Sequence, residues 1–269
     1  MNAVEEAFRG GSEDPPAVIY GVNPLREALL AIPGEIRQIY VAPGDEKGPR
    51  LRKVLEAAAR ASIPVNGAAR FRLSKLAGTE HHQGIVGLIR PYAYADLEEL
   101  LQLPRQENLS GQVVVVLDGV TDPQNLGAIV RSAHCFGATG VIIPQDRTAS
   151  VTPAVGKASA GAVYHLPVAR VGNLSRALDR LKEAGFWVYG AAADAGVGLD
   201  VRSLDLAGRI ALVMGSEGRG LRELIRKKCD FFLCIPMIGK LDSLNVSVAA
   251  GVLLHDIFRK LWVHRGEEG

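Results

Sequence analysis

A chain of 269 residues, 48% of them hydrophobic, is long enough for one large or two small domains and too apolar to be disordered. Its formal net charge of +2 excludes a polycation, so a nucleic-acid partner would have to be held by a local patch and not by the global field. The cysteines, Cys135, Cys229 and Cys234, are odd in number and never spaced C-x-x-C, which argues against a disulfide framework and for a reducing compartment.

Residues 1–16 are polar and acidic without an apolar stretch; they read as a disordered tail and not as a signal peptide. A strand is predicted at 18–21. Asn23 and Pro24 then suit the N-cap and first position of a helix continuing over 25–30. Residues 36–41 predict a strand, 50–61 a helix, and 63–65 and 84–89 two more strands. These elements form a small α/β module at 17–92. Pro91, Pro104 and a polar run mark a linker over 93–111, with one short helix near 96–101.

From 112 to 269 strands and helices alternate. The β-branched run at 113–117 suits a strand buried on both faces. A helix at 126–136 closes on Gly137. There follow a strand at 141–143, a helix at 174–184 ending on Gly185, and strands at 186–190 and 210–214. A helix at 221–228, a strand at 232–235 and a helix at 246–261 complete the series. Such alternation predicts a parallel sheet with helices on both faces and ligands beyond the carboxyl ends of its strands. The longest apolar stretch, 246–254, is too short to span a membrane. The expected location is the cytoplasm.

Three segments could carry chemistry. In Met214-Gly215-Ser216-Glu217-Gly218-Arg219-Gly220-Leu221, the glycines allow a sharp turn and close approach to a ligand. This is neither a dinucleotide fingerprint nor a phosphate-binding P-loop. A tight turn has no structural need for a carboxylate, which makes Glu217 a functional candidate. In 118–127, Asn125 is either a helix cap or a site residue. Arg131 lies on the following helix, where it either reaches outwards or holds an anion. The two are six residues apart and do not share a helical face. In 235–247, Ser243 and Asn245 are caps or site residues, and Met237 and Leu244 are core or ligand wall.

The six histidines form no zinc-ligand pattern, so no metal is expected; His81 and His82 read as polar loop residues. Between positions 47 and 75, Lys47, Arg50, Arg52, Lys53, Arg60, Arg70, Arg72 and Lys75 face only Glu56. This is either a solvated helix face or a patch that tracks phosphates. Aromatic residues make up only 6%, and no stacking platform is evident.

Together the three segments resemble the SpoU/TrmH family of RNA 2′-O-ribose methyltransferases. Residues 125–133 are similar to the family's first motif, 214–221 to its second, and 235–249 to its third. Ile19-Tyr20-Gly21 with Asn23-Pro24, then His82-Gln83-Gly84-Ile85 and the phrase at 117–123, resemble the RlmB-like subgroup, which modifies a guanosine of 23S ribosomal RNA. The resemblance implies an RNA substrate-binding domain followed by a methyltransferase domain of the SPOUT type with a deep trefoil knot. It implies a homodimer joined through the knotted domain, and S-adenosylmethionine held by Gly215, Ile235, Met237 and Leu244. The reacting site would consist of Asn125, Arg131, Glu217, Ser243 and Asn245. RNA would meet Lys47, Arg50, Arg52, Lys53, Arg72 and Lys75. Lys240-Leu241-Asp242 departs from the small polar residues common in the subgroup.

The methyl sulfonium is itself a strong electrophile, so the protein must align the hydroxyl and remove its proton. In the resembled family the arginine matching Arg131 is a proposed general base. Neutralising a guanidinium at neutral pH costs upwards of about 7 kcal/mol. Three acceptors of the proton stay open: Arg131, Glu217 or water. Transfer RNA is the alternative substrate. A non-catalytic RNA-binding protein and a nucleotide-dependent oxidoreductase are the rivals from other classes.

Overall fold

The computed structural model describes residues 16–192, 198–201 and 206–263, without the side chain of Lys47; apart from Pro16 the expected tail lies outside the described residues. The chain divides into two units. The first takes in Met1–Ala93 and Val151–His165, the second Tyr94–Ser150 and Leu166–Gly269.

The first unit opens with β1 (Ala17–Tyr20), α1 (Val22–Ala31), β2 (Ile36–Val41) and α2 (Pro49–Arg60), then β3 (Val65–Gly67), α3 (Arg70–Ala77) and β4 (Ile85–Ile89). The sheet order is β1-β4-β2-β3, with β4 antiparallel to both neighbours and β3 parallel to β2. Alternation along the strands sends Ile19, Ile39, Ile85 and Ile89 to one face, where Leu25 and Ala28 of α1 and Leu51, Val54 and Ala58 of α2 cover them. Val18, Tyr40, Val86 and Leu88 go to the other face, under Leu73 and Leu76 of α3.

One expectation in this unit is corrected and another narrowed. Asn23 is not a cap. Helix α1 starts two residues earlier, after Gly21, and the Val22 N–H donates to Gln83 Oε1 at 3.0 Å. A side chain from a distant loop thus satisfies the orphan donor that a local cap would have met. His82 does lie in the turn before β4, but it is buried there, 2% exposed. Its Nδ1 accepts the Gly84 N–H at 3.1 Å, which leaves Nε2 to donate to Ser74 Oγ at 3.2 Å. His82 therefore ties α3 to the start of β4.

Burial, and then the charge of Arg70, hold the His82 imidazole below its ordinary value of 6.5, against the opposite pull of Asp45 and Glu80. A depressed folded value means that the contribution to stability is present above pH 6.5 and is lost as the pH falls towards the folded value. Protonation would also set an Nδ1–H against the Gly84 N–H. The thermal midpoint is expected to drop between pH 7 and pH 5 more in the wild type than in His82→Gln. Parallel curves for the two proteins would assign the acid sensitivity to other groups.

The rest of the chain runs α4 (Leu97–Gln102), β5 (Gly111–Asp118), α5 (Pro123–Cys135), β6 (Gly140–Pro144), α6 (Pro153–Ala158), β7 (Val168–Val171) and α7 (Leu174–Glu183). It ends with β8 (Phe186–Ala191), β9 (Leu199–Asp200), β10 (Gly208–Gly215), α8 (Glu223–Arg226), β11 (Phe231–Cys234) and α9 (Val246–Leu261). Its strands make one parallel sheet, β7-β6-β5-β10-β8-β11-β9. Val114, Val116, Val188, Ala211 and Val213 pack on one side against Leu174, Leu178 and Leu181 of α7 and against Leu100 and Leu101 of α4. Helix α9 packs on α5 and reaches β10. Among the described residues no helix is long and apolar enough to cross a membrane.

Asn125 is not the cap of α5. Asp122 is, accepting the Gln124 N–H at 2.9 Å, with Pro123 at the first position where its missing N–H costs nothing. Asn125 therefore lies inside the first turn. The helix expected at 221–228 shrinks to α8, because Arg222 stays extended at φ −60, ψ 145. Elements α3, α6, β7 and β9 went unpredicted.

Helix α6 belongs to the first unit. Val155 and Val163 are buried, Tyr164 packs against the core beneath α1 and α2, and His165 Nε2 lies 3.0 Å from Glu27 Oε2.

Candidate active site

Strands β5 and β10 lie side by side and end level, with Asp118 opposite Gly215. The chain then folds back on itself. The Ser216 N–H donates to Gly220 O at 3.1 Å and the Gly220 N–H to Ser216 O at 2.9 Å. Only glycine fits at 215, since a Cβ there would lie 2.2 Å from the Gly220 carbonyl carbon; Gly220 itself has φ +64. The far end of the turn is anchored by Asp118. Its side chain is fully buried and accepts the Arg222 backbone N–H at 2.8 Å and Arg222 Nε at 2.5 Å. Breaking a buried pair of this kind typically costs about 3–5 kcal/mol. Half of Arg222 is exposed, which places this pair towards the low end. The turn is thus fixed at both ends, with Glu217 at its tip.

Glu217 meets two asparagines there. Asn125 Nδ2 donates to Glu217 Oε1 at 3.2 Å, Asn245 Nδ2 donates to the same oxygen, and the Val246 N–H reaches it at 3.4 Å. Asn245 Nδ2 also donates to Asn125 Oδ1 at 3.0 Å. Asn245 is at the same time the cap of α9, its Oδ1 accepting the Ser247 and Val248 N–H groups at 2.9 and 3.3 Å. One side chain thus caps α9 through its oxygen and joins Glu217 and Asn125 through its nitrogen. All three donors converge on Oε1, and Glu217 Oε2 has no hydrogen-bond partner among the described residues.

Beside this cluster lies a cavity of about 260 Å³. Its lining includes Gly215, Glu217, Ile235, Met237, Ser243 and Leu244, closed by Ala191 at the end of β8, by Ala192, and by Ala249 and Leu253 of α9. The structure so brings the four cofactor candidates together with Glu217 and Ser243. Ser243 donates only to Asp242, at 3.5 Å, and does not join the asparagines. Arg131 stands apart on α5. It is exposed, and its side chain has no hydrogen-bonding or ion-pairing partner among the described residues. Among the described residues no three His, Cys, Asp or Glu side chains converge as metal ligands would.

The basic residues of the first unit are divided. Arg50, Arg52 and Lys53 are on α2, with Arg52 paired to Glu56 at 3.6 Å. Arg72 and Lys75 are on α3, which covers the opposite face of the sheet. The side chain of Lys47 lies outside the described residues. Sequence reasoning missed the roles of Asp118 and Arg222. The available signal was a carboxylate ending an otherwise apolar strand.

Comparison with known proteins gives consistent matches. The model of the SpoU rRNA methylase family matches residues 112–255, and that of RNA 2′-O ribose methyltransferase substrate binding matches residues 18–95. A Staphylococcus aureus (strain MSSA476) protein named as a TrmH family tRNA/rRNA methyltransferase is 42% identical over 90% of this chain and 96% of its own length. A solved AdoMet-bound rRNA methyltransferase from Sinorhizobium meliloti is 25% identical, covers 91% of this chain and 87% of its own, and has a TM-score of 0.71. The A. aeolicus TrmH/SpoU tRNA modifying enzyme is 27% identical, covers 61% of this chain and 80% of its own, and has a TM-score of 0.51.

Proposed function

The chain belongs to the SpoU rRNA methylase family, and from that premise we propose that it transfers a methyl group from S-adenosylmethionine to a ribose 2′-hydroxyl of RNA, at a guanosine of 23S ribosomal RNA, in the cytoplasm. The observation that carries the reading is the Asn125–Glu217–Asn245 cluster at the edge of the cavity. In this reading residues 17–92 bind the RNA substrate, 93–111 link, and 112–269 catalyse.

The cavity fits the cofactor. Ile235, Met237 and Leu244 offer apolar walls for a base, and at Gly215 the backbone turn approaches without a side chain in the way. When bound, S-adenosylmethionine supplies a methyl group on a positively charged sulfur. Asn125 and Asn245 hold Glu217 in one orientation, and its free Oε2 is the acceptor for the ribose hydroxyl proton. Arg131 lacks an internal partner and serves the RNA side, clamping phosphate through its planar fork. Ser243, at the cavity wall, contributes a hydroxyl to the same rim.

Ribosomal RNA is favoured over transfer RNA by the extent of likeness. The solved rRNA enzyme aligns with 91% of this chain, the tRNA enzyme with 61%. We also infer that the chain after β11 is threaded into a knot. It leaves the sheet beyond β8 and returns to lay α9 on α5, past Ala192 and the turn that follows β10. Val248 and Val252, 51% and 37% exposed and one turn apart on α9, suit a homodimer formed through the second unit.

The test is transfer of labelled methyl from S-adenosylmethionine to total RNA, with mapping of the modified ribose and calorimetry of the cofactor alone. The expected result is saturable cofactor binding without a metal and label in 23S RNA. Label confined to transfer RNA would move the substrate. Binding of NADH with no response to S-adenosylmethionine, or RNA binding without transfer, would end the proposal.

A further inference from the structure

Helix α3 carries a side chain that folding does not explain. Its core side is Leu73 and Leu76. Phe71 points the other way and is 79% exposed, more than any other phenylalanine or tryptophan among the described residues. Lys75, also exposed, follows four residues later on the same face. Arg70 and Arg72 flank the ring in sequence. Arg70 is held by Asp45 at 2.6 Å, and the Arg72 guanidinium lies 5.4 Å from the centre of the Tyr40 ring. No acidic residue occurs on α3, whereas α2, on the other face of the sheet, has basic residues but no aromatic ring.

An aromatic ring left in water and surrounded by fixed cations fits one ligand chemistry well. An unpaired nucleobase offers a π-face to the ring, and the phosphates on either side meet the cations. An apolar partner protein would gain from the ring but not from the cations, and an RNA duplex would meet the cations but hide its bases. We propose that α3 is the base-reading face of the first unit, with Phe71 stacking on an unpaired nucleobase and Arg72 and Lys75 holding the flanking phosphates. This rests on the proposed action on RNA and adds which part of the RNA is read and by which residues. The exposed basic residues of α2 have no part in it.

The test uses the full chain and a labelled single-stranded oligoadenylate of about ten nucleotides, followed by anisotropy across a salt series. Phe71→Ala is expected to weaken binding by about 5- to 150-fold with an unchanged salt slope, the effect of losing one stacked base. Phe71→Trp restores affinity. Arg72→Ala with Lys75→Ala flattens the slope by about 1.4, at about 0.7 per phosphate contact. Melting curves should coincide for all variants, since the changed side chains are exposed. The proposal is overturned if Phe71→Ala binds like the wild type, if Phe71→Leu binds as tightly as Phe71, or if a duplex competes as well as the single strand. A wild type that binds no RNA would overturn this inference and the proposed function together; methyl transfer that survives intact in Phe71→Ala with unchanged RNA affinity would overturn the inference alone.

Discussion

Replacing Arg131 with alanine is expected to lower methyl transfer to RNA by about two to four orders of magnitude and to leave cofactor binding and the fold unchanged. The expectation follows from where the side chain is. Arg131 is exposed on α5, lines no part of the cavity beside Glu217, and has no partner within the described residues. An exposed residue of this kind contributes within about 0.5 kcal/mol to stability, so a loss of activity would report on the RNA. Arg131→Lys should recover little, because lysine keeps the charge and loses the planar pair of donors. Single-turnover assays with saturating cofactor, together with calorimetry, separate the two effects. Near wild-type turnover in the lysine variant would show that a point charge suffices there.

Glu217 is expected to behave differently in its two variants. Glu217→Gln keeps an oxygen that accepts from Asn125, Asn245 and Val246, so the melting temperature and cofactor affinity should hold. Transfer should fall by at least about a hundredfold if the carboxylate takes the proton. Glu217→Ala removes the acceptor from three donors at once, which should loosen both the glycine turn and the segment entering α9 and weaken cofactor binding as well. Should Glu217→Gln turn over like the wild type, the carboxylate is only a fastener and the proton leaves by water.

Much of the second unit is legible because its central strands are buried on both faces and its glycines mark turns. Continuous runs such as 113–117 mark a parallel strand, and the glycines of 215–220 mark a turn. What could not be read locally was satisfied from far away in the chain. Gln83 serves the first turn of α1 and Asp118 holds Arg222, each across a separation that no window of sequence spans. The asparagines illustrate the same limit. Asn245 is a cap whose amide also reaches Glu217, while Asn125 loses the cap position to Asp122 and lies beside Glu217. The stretch of basic residues at 47–75 looked like one cluster only because the chain was read in line; the sheet between α2 and α3 divides it.

Helix α6 and the residues up to His165 have a consequence for the order of events during synthesis. Residues 17–92 of the first unit are made early, yet Val155, Val163 and Tyr164, which complete its packing, come only after β5, α5 and β6. At about 5–20 residues per second, the interval between residues 93 and 165 lasts roughly 4 to 14 s. Throughout that time the nascent first unit lacks the cover that these residues give it. The same dependence means that excising residues 1–90 is not a neutral operation, since it strips the cover from side chains that remain in the shortened chain.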